Sequence, residues 1–550
     1  MDRKTLTGFI LIGAILLLWP SYLEIISPSE KDPKDLPSAD TTIVEKYSKQ
    51  DQKVLKKTGG TKNNIESETL VVDGGSYVAQ INNLAGGSIF SFNLKKHLKS
   101  SEESLGLIDN QNKKNLVVSF INQSGEVVVL DELWSLVSGG SVVLSEENSS
   151  SSMVFETLYM GKPVTKKLTF YYNSYEIGLD VSLREIKESS LDEKYVLSWV
   201  GGLPEHEGSQ DAMFMEGLVS QVGSIESFRV GSAGFFGSSN TKNISEDTKK
   251  YVGLVDFAGY RTKYFGVFFV PQKSDMVELY KYPSLSRAGV DISITQDINL
   301  EKNKLYLGPL DYTSVEALGV GLEEKILGWQ WLSSISWLVY SIMILLYGLI
   351  PNYGVVVVLF AVLIKLVTYP LMAKQLRSSK KMQEISPIMN NIKIKYKNNP
   401  TLQQQKMAAL FQEHKINPLA GCLPLLIQMP VLMSVFMVFR NTIEFRGESF
   451  VFWINDLSAA DTLFSVGGIP INILPFLMSA SMYYTMKLSS ASQPAGGDPA
   501  QEATQQMMKY MFPGMMFFLF YSFPSGLNLY YLCFNVMQIA QQKIINNEKS

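Results

Sequence analysis

Nineteen residues, Gly354 to Met372, constrain this chain more than any others. Their sequence, GVVVVLFAVLIKLVTYPLM, is almost wholly apolar. As a helix they extend about 28 Å at 1.5 Å per residue, close to the hydrocarbon thickness of a bilayer. One charge, Lys365, interrupts them near the middle. On insertion scales a lysine at the bilayer centre costs about 2.5–3.5 kcal/mol, so such residues usually face a partner or a water-filled cavity. Two readings are open. Lys365 snorkels to the headgroups, or the protein keeps a wet, positively charged hollow inside the membrane. The second is favoured, because Lys374 further along is better placed to snorkel.

The rest of the 550-residue chain divides in two. Residues 29–320 are polar and rich in Gly, Ser and Asn, whereas residues 321–545 carry repeated apolar runs. A net charge of −3 gives no electrostatic reason to expect DNA or another nucleic acid as a partner. The two cysteines, Cys422 and Cys533, both lie in apolar runs, so the polar half is not built on disulfides. His97, His206 and His414 are far apart, and no His/Cys/Asp/Glu spacing resembles a metal site. No cofactor is expected.

At the start, Arg3 and Lys4 precede the apolar run Leu6–Trp19 with no small-x-small site after it. This reads as an uncleaved signal anchor, residues 1–28, with a cytoplasmic N-terminus. Residues 29–68 read as a flexible tether. From Thr69, short runs of β-formers separated by turn residues predict an antiparallel sandwich over 69–320. The serine run Ser149–Ser152 is expected in a loop. The cluster Glu205–His206–Glu207 follows Pro204 and reads as a structural loop rather than a catalytic group.

Counting charge fixes the expected topology. Between residues 374 and 417, nine basic residues stand against Glu384 and Glu413, which belongs in the cytoplasm. The Lys365 helix then runs inward, and the Trp- and Tyr-rich stretch 328–350 lies along the outer surface within an interfacial segment 321–350. The basic segment, including Arg377, Lys380, Lys381, Lys393 and Lys395, reads as a helical hairpin, with one helix over 376–396 and another over 401–413. Its narrow apolar seam is Met382, Ile385, Met389, Ile392 and Tyr396. Further spans are expected over 420–439, Ile469–Lys487, Tyr510–Phe523 and Ser525–Gln541. Six spans result, with both termini inside.

Polar residues recur inside these runs. Asn528, Tyr531, Asn535, Gln538 and Gln542 are spaced 3, 4, 3 and 4 apart and share one helix face. Ala361, Lys365, Thr368 and Met372 share another, and Gln428 sits within its own span. Two explanations remain: interhelical hydrogen-bond glue, or the lining of a shared polar hollow. Val356 is expected to face lipid.

The segments YPLMAKQLRSSKKM, KINPLAGCLPLLIQMPVLMSVF and FPSGLNLYY, at 369–382, 415–436 and 523–531, resemble the YidC/Oxa/Alb family of membrane protein insertases. The likeness is to the large YidC form of double-membraned bacteria. The resemblance covers residues 328–542 by motif and the first two-fifths by layout. It implies an α-helical polytopic inner-membrane protein with a five-span insertase core over 351–545 and a large periplasmic β-supersandwich similar to sugar-mutarotase folds. It implies a hydrophilic groove, open to the cytoplasm and to lipid, in which Lys365 takes the place of an arginine five residues before Pro370. Ala361, Thr368, Gln428, Asn528, Tyr530, Tyr531 and Asn535 are then candidates to line the groove or touch a client. The implied partners are nascent membrane proteins, the Sec translocon and membrane lipids; ribosome contact would rest on the 374–417 hairpin, the 488–506 loop or the short C-terminus. No enzyme activity is expected, because the chain carries no nucleotide motif of the GxxxxGK[ST] type. The competing reading is a transporter or channel for a small anionic solute, against which stands the lack of an internal repeat.

Overall fold

The structure is a computed structural model that describes residues 66–96, 98, 105–109, 114–230, 232–233, 239–240, 247–282, 289–328, 330–414, 423–466, 469–491 and 506–547. The expected signal anchor, nearly all of the tether, Cys422 and most of the 488–506 loop lie outside the described residues, as do the side chains of Lys380 and Gln428. The chain forms two compact units that divide after Gly321.

The first unit is built from β-strands. Its nine-stranded sheet runs, in spatial order, Ser224–Arg229, Glu216–Gln221, Phe257–Arg261, Phe265–Pro271, Lys302–Pro309, Glu176–Ser182, Lys162–Tyr171, Ser150–Tyr159 and Ser135–Ser138. A six-stranded sheet runs Asp247–Val252, Met276–Tyr282, Gly289–Asp297, Lys194–Trp199, Val117–Ile121 and Val127–Leu130. A five-stranded sheet holds Leu105–Asp109, Ser88–Leu94, Tyr77–Asn82, Thr69–Asp73 and Val142–Val143. Among the described strands of these sheets every pairing is antiparallel except that of Thr69–Asp73 with Val142–Val143. The nine- and six-stranded sheets meet so closely at Gly217 that a Cβ there would lie 2.7 Å from the Leu279 side chain. Trp134, Trp199, Tyr195, Tyr260 and Phe155 are fully enclosed in the core of this unit.

The serine run is not a loop. Ser150–Ser152 open a ten-residue strand paired with Lys162–Tyr171, and the Ser152 and Thr169 hydroxyls hydrogen bond at 2.9 Å. Neighbouring strand length, which local composition does not carry, extends the ladder through them. In Lys162–Tyr171 the inward positions are Val164, Lys166, Leu168 and Phe170. Lys166 is thus completely buried, and its Nζ donates to the backbone carbonyls of Ala85 and Leu116, 2.5 Å each. Both acceptor residues have left-handed backbones, φ 50° and 56°, a conformation uncommon for side chains other than glycine. The Trp134 ring lies 5.3 Å from the same amine. The Glu205–Glu207 loop is tied down by Asp211, whose Oδ2 accepts from the His206 and Glu207 amides at 2.7 Å each.

The second unit is helical. Its principal elements are α1 (Ser333–Leu349), α2 (Tyr353–Glu384), α3 (Ser386–Lys395), α4 (Pro400–Glu413), α5 (Leu423–Asn441), α6 (Leu474–Ala491), α7 (Phe512–Phe520) and α8 (Ser525–Asn547). Among the described residues one helix is long and apolar enough to cross a membrane, Tyr353–Lys374 within α2. Ser333–Leu349 and Met429–Asn441 are shorter apolar helices. Asn352 starts α2 by accepting from the Val355 amide at 2.9 Å. The expected break between span and hairpin does not occur: α2 runs on for 32 residues to Glu384. Pro387 ends the run: it has no N–H to bond the carbonyl four residues earlier, and it sits instead in the first turn of α3. Asn399 and Pro400 then open α4, with the Asn399 side chain accepting from Leu402 N at 3.1 Å. The hairpin helices α3 and α4 close on a small core of Ile385 and Leu410, flanked by Met382, Met389, Ile392 and Phe411.

The expected Ile469–Lys487 span begins later than its apolar run. Ile469–Asn472 is a strand paired with Thr462–Val466, and α6 starts at Leu474. Asp461 fixes that start, its Oδ2 accepting from Ile473 N and Leu474 N at 2.9 and 2.6 Å. The same loop ties down α8, since Ser525 N donates to Ala459 O at 2.7 Å and Gly526 N to Leu457 O at 3.0 Å. Phe450 lies against the start of α2, where a Cβ on Gly354 would come within 2.0 Å of its ring, so only glycine fits.

Candidate functional site

Helices α2, α6 and α8 build the site, with α8 packed against the other two. Lys365 lies on α2 at 5% exposure, which is far less than a snorkelling lysine would show. Its Nζ donates to the Gln538 side-chain carbonyl on α8. The Phe534 ring, one turn earlier on α8, stands 4.5 Å from that nitrogen. One turn further along both helices, Gln541 Nε2 donates to the Tyr369 carbonyl at 3.3 Å. Leu366 and Val367, the next two residues of α2, are 65% and 68% exposed. The lysine therefore points inward from a helix whose opposite side is bare.

The expected stripe on α8 separates into different tasks. Asn528 is wholly buried and donates to the carbonyls of Phe520 and Phe523 at 3.2 and 3.4 Å, which ties the turn between α7 and α8. Asn535 donates to Ser481 Oγ of α6 at 3.3 Å. Gln538 is the stripe residue that accepts from Lys365. Tyr530 is fully enclosed, its ring centroid 6.0 Å from Phe360 of α2 and 6.4 Å from Phe439 of α5. Tyr531 is half-buried and meets Phe520 edge-on at 5.0 Å. On α2, Ala361 is fully buried, whereas Thr368 returns its hydroxyl to Ile364 O of its own helix at 2.8 Å. Such a bond satisfies the hydroxyl without a partner helix. Val356, expected to face lipid, is fully buried. Gln428 lies on α5. Arg377 and Lys381 are exposed on the last turns of α2, and on α3 Lys395 is exposed and Lys393 half-buried.

Sequence reasoning missed three participants. Phe534 and Gln541 lie off the counted stripe, and Ser481 sits in a run of small residues. Nothing in spacing marks a phenylalanine as the cover of an ammonium.

Two family descriptions match the chain. The YidC periplasmic domain matches residues 69–341, and the 60Kd inner membrane protein family matches residues 345–550. Three relatives carry the name membrane protein insertase YidC. That of Prosthecochloris aestuarii is 31% identical, covering 100% of this chain and 95% of the relative. That of Chlorobaculum parvum is 31% identical over 99% of this chain and 94% of its own length. That of Chlorobium limicola is 29% identical over 100% and 95%. Among solved structures, a galactose mutarotase related enzyme from Lactobacillus acidophilus is similar at TM-score 0.26 and 8% identity, covering 44% of this chain and 97% of that one.

Proposed function

The chain belongs to the YidC family of membrane protein insertases, and we propose that it works through the charge that α2 holds inside the apolar layer. It is a bacterial inner-membrane protein with a periplasmic domain, and it inserts inner-membrane proteins. The mechanism follows from the cost of the step. Each unpaired polar group carried into hydrocarbon costs several kcal/mol, about 2–7 depending on the reference state. A hydrophilic groove beside α2, α5 and α8 shortens that path. Lys365 draws an acidic residue of the client's outward-moving segment, and Gln428 and Asn535 offer it transient hydrogen bonds. The apolar client helix leaves sideways past the methionine- and phenylalanine-rich faces of α5 and α7, where soft side chains repack around varied sequences. No bond is made or broken.

In this proposal the chain crosses the membrane six times, both termini lie in the cytoplasm, and the α3–α4 hairpin stands at the cytoplasmic mouth. There Lys393 and Lys395, with Arg377 and Lys381 on the adjoining end of α2, suit anionic headgroups or a ribosome. The Sec translocon is the expected partner for larger clients.

The observation that carries the mechanism is a lysine enclosed in an apolar helix whose amine is held by one side chain. The test is depletion of the native insertase and rescue with Lys365 variants. Lys365→Arg should restore growth, while Lys365→Glu should insert acidic-tailed clients at least about tenfold more slowly. Equal rescue by Arg, Ala and Glu would remove the charge from the mechanism. Photo-crosslinkers at Thr368 and Tyr531 should capture a nascent single-span client. Capture confined to the exposed Leu366 and Val367 would replace the groove by a lipid-facing slide.

A further inference from the structure

We infer that Gln538 is a resident stand-in for the client on Lys365, and that it makes the site select carboxylates over neutral polar groups. This rests on the reading that Lys365 meets clients. Three observations carry it. The Lys365 amine already donates to the Gln538 side-chain carbonyl, and the residue is nearly closed off from solvent. Phe534 lies over the same nitrogen, so few approaches to it remain. Gln541 bonds the Tyr369 carbonyl one turn on, which holds α8 against α2 at the lysine's level. Neither α2 up to Lys374 nor α8 contains an Asp or Glu, so the resident acceptor is a neutral amide.

That neutrality sets the selectivity. The bond from the ammonium to an amide is charge-assisted from one side only; a carboxylate adds the attraction of an opposite unit charge, which is strong where water is excluded. A client carboxylate therefore displaces the Gln538 carbonyl, whereas a client amide or hydroxyl only exchanges like for like. Gln538 returns to the amine when the client departs, so Lys365 is never left buried without an acceptor. Asn535 does not compete, since it is directed to Ser481 of α6.

The test uses the full chain in phosphatidylethanolamine–phosphatidylglycerol vesicles and two single-span clients that differ only by Asp or Asn in the translocated tail. The native protein should insert the Asp client faster. Gln538→Ala and the volume-keeping Gln538→Leu should cut that preference about fivefold, chiefly by speeding the Asn client. Gln538→Glu should slow the Asp client about tenfold, because an internal carboxylate then holds the amine. An unchanged preference in both neutral variants overturns the inference and leaves Lys365's role standing. An equal fall for both clients, as from lost packing alone, also overturns it. Native rates for both clients with Lys365→Ala overturn the underlying reading and the inference together.

Discussion

Lys166 of the first unit and Lys365 of the second are both buried, and they are held in opposite ways. Lys166 donates to two backbone carbonyls, those of Ala85 and Leu116, whose left-handed conformations it bridges. Lys365 donates to one side chain, Gln538. A backbone carbonyl cannot leave without moving its loop, so Lys166 is part of the fold. A side-chain amide leaves by a rotation about its own bonds, so Lys365 keeps an exchangeable partner. If Lys365 works as proposed, burial alone does not distinguish structural from working charge, and the mobility of the acceptor does.

The largest test of that contrast is stability. Lys166→Ala strands two buried carbonyls and opens a cavity, and should cost about 3–5 kcal/mol. Lys365→Ala should shift unfolding by less than about 1 kcal/mol, because one exchangeable contact is lost while a desolvated charge is relieved. Denaturant unfolding of the detergent-solubilised chain, followed by tryptophan fluorescence, reads both. Similar losses for the two would dissolve the distinction.

A second test uses pH. Burial draws the Lys166 amine down from 10.5 to about 7. Below pH 7 the folded and unfolded chains both carry the proton. Between 7 and 10.5 the unfolded chain still binds it and the folded chain has released it, so stability rises with pH, by up to about 1.4 kcal/mol per unit. Lys166→Met should flatten that slope; a slope that survives the substitution belongs to another group. The smallest effect sharpens the helical side: Asn535→Ala, which loses only the Ser481 contact, should cost about 0.6 kcal/mol. A loss as large as that of Lys166→Ala would make Asn535 a structural pin too.

Much of this was legible in residue order, and some of it was legible but passed over. The alternation Val164, Lys166, Leu168, Phe170 puts a lysine at an inward register position, which period two alone reveals. Pro387 likewise marks where α2 must end, inside the stretch 376–396 expected as one helix. The hairpin seam follows from three- and four-residue spacing. Ser150–Ser152 could not be read as strand, because the pairing partner that makes them one lies across the hairpin. The strand Ile469–Asn472 was hidden for the same reason: its apolar run continues into α6 without a change of composition, and only pairing with Thr462–Val466 divides them.

Residue order by itself determined that an apolar helix carries one lysine, that amides recur on α8 at helical spacing, and that the first unit is built of short strands. These properties are periodic and local, and each can be counted along the chain. Tertiary structure alone decided which amide meets the lysine. Asn528, Asn535 and Gln538 share one stripe, yet one ties a turn, one bonds α6 and one holds Lys365. A stripe is wide enough to face two neighbouring helices and a turn at once, so spacing puts those three residues together while packing gives each a different partner.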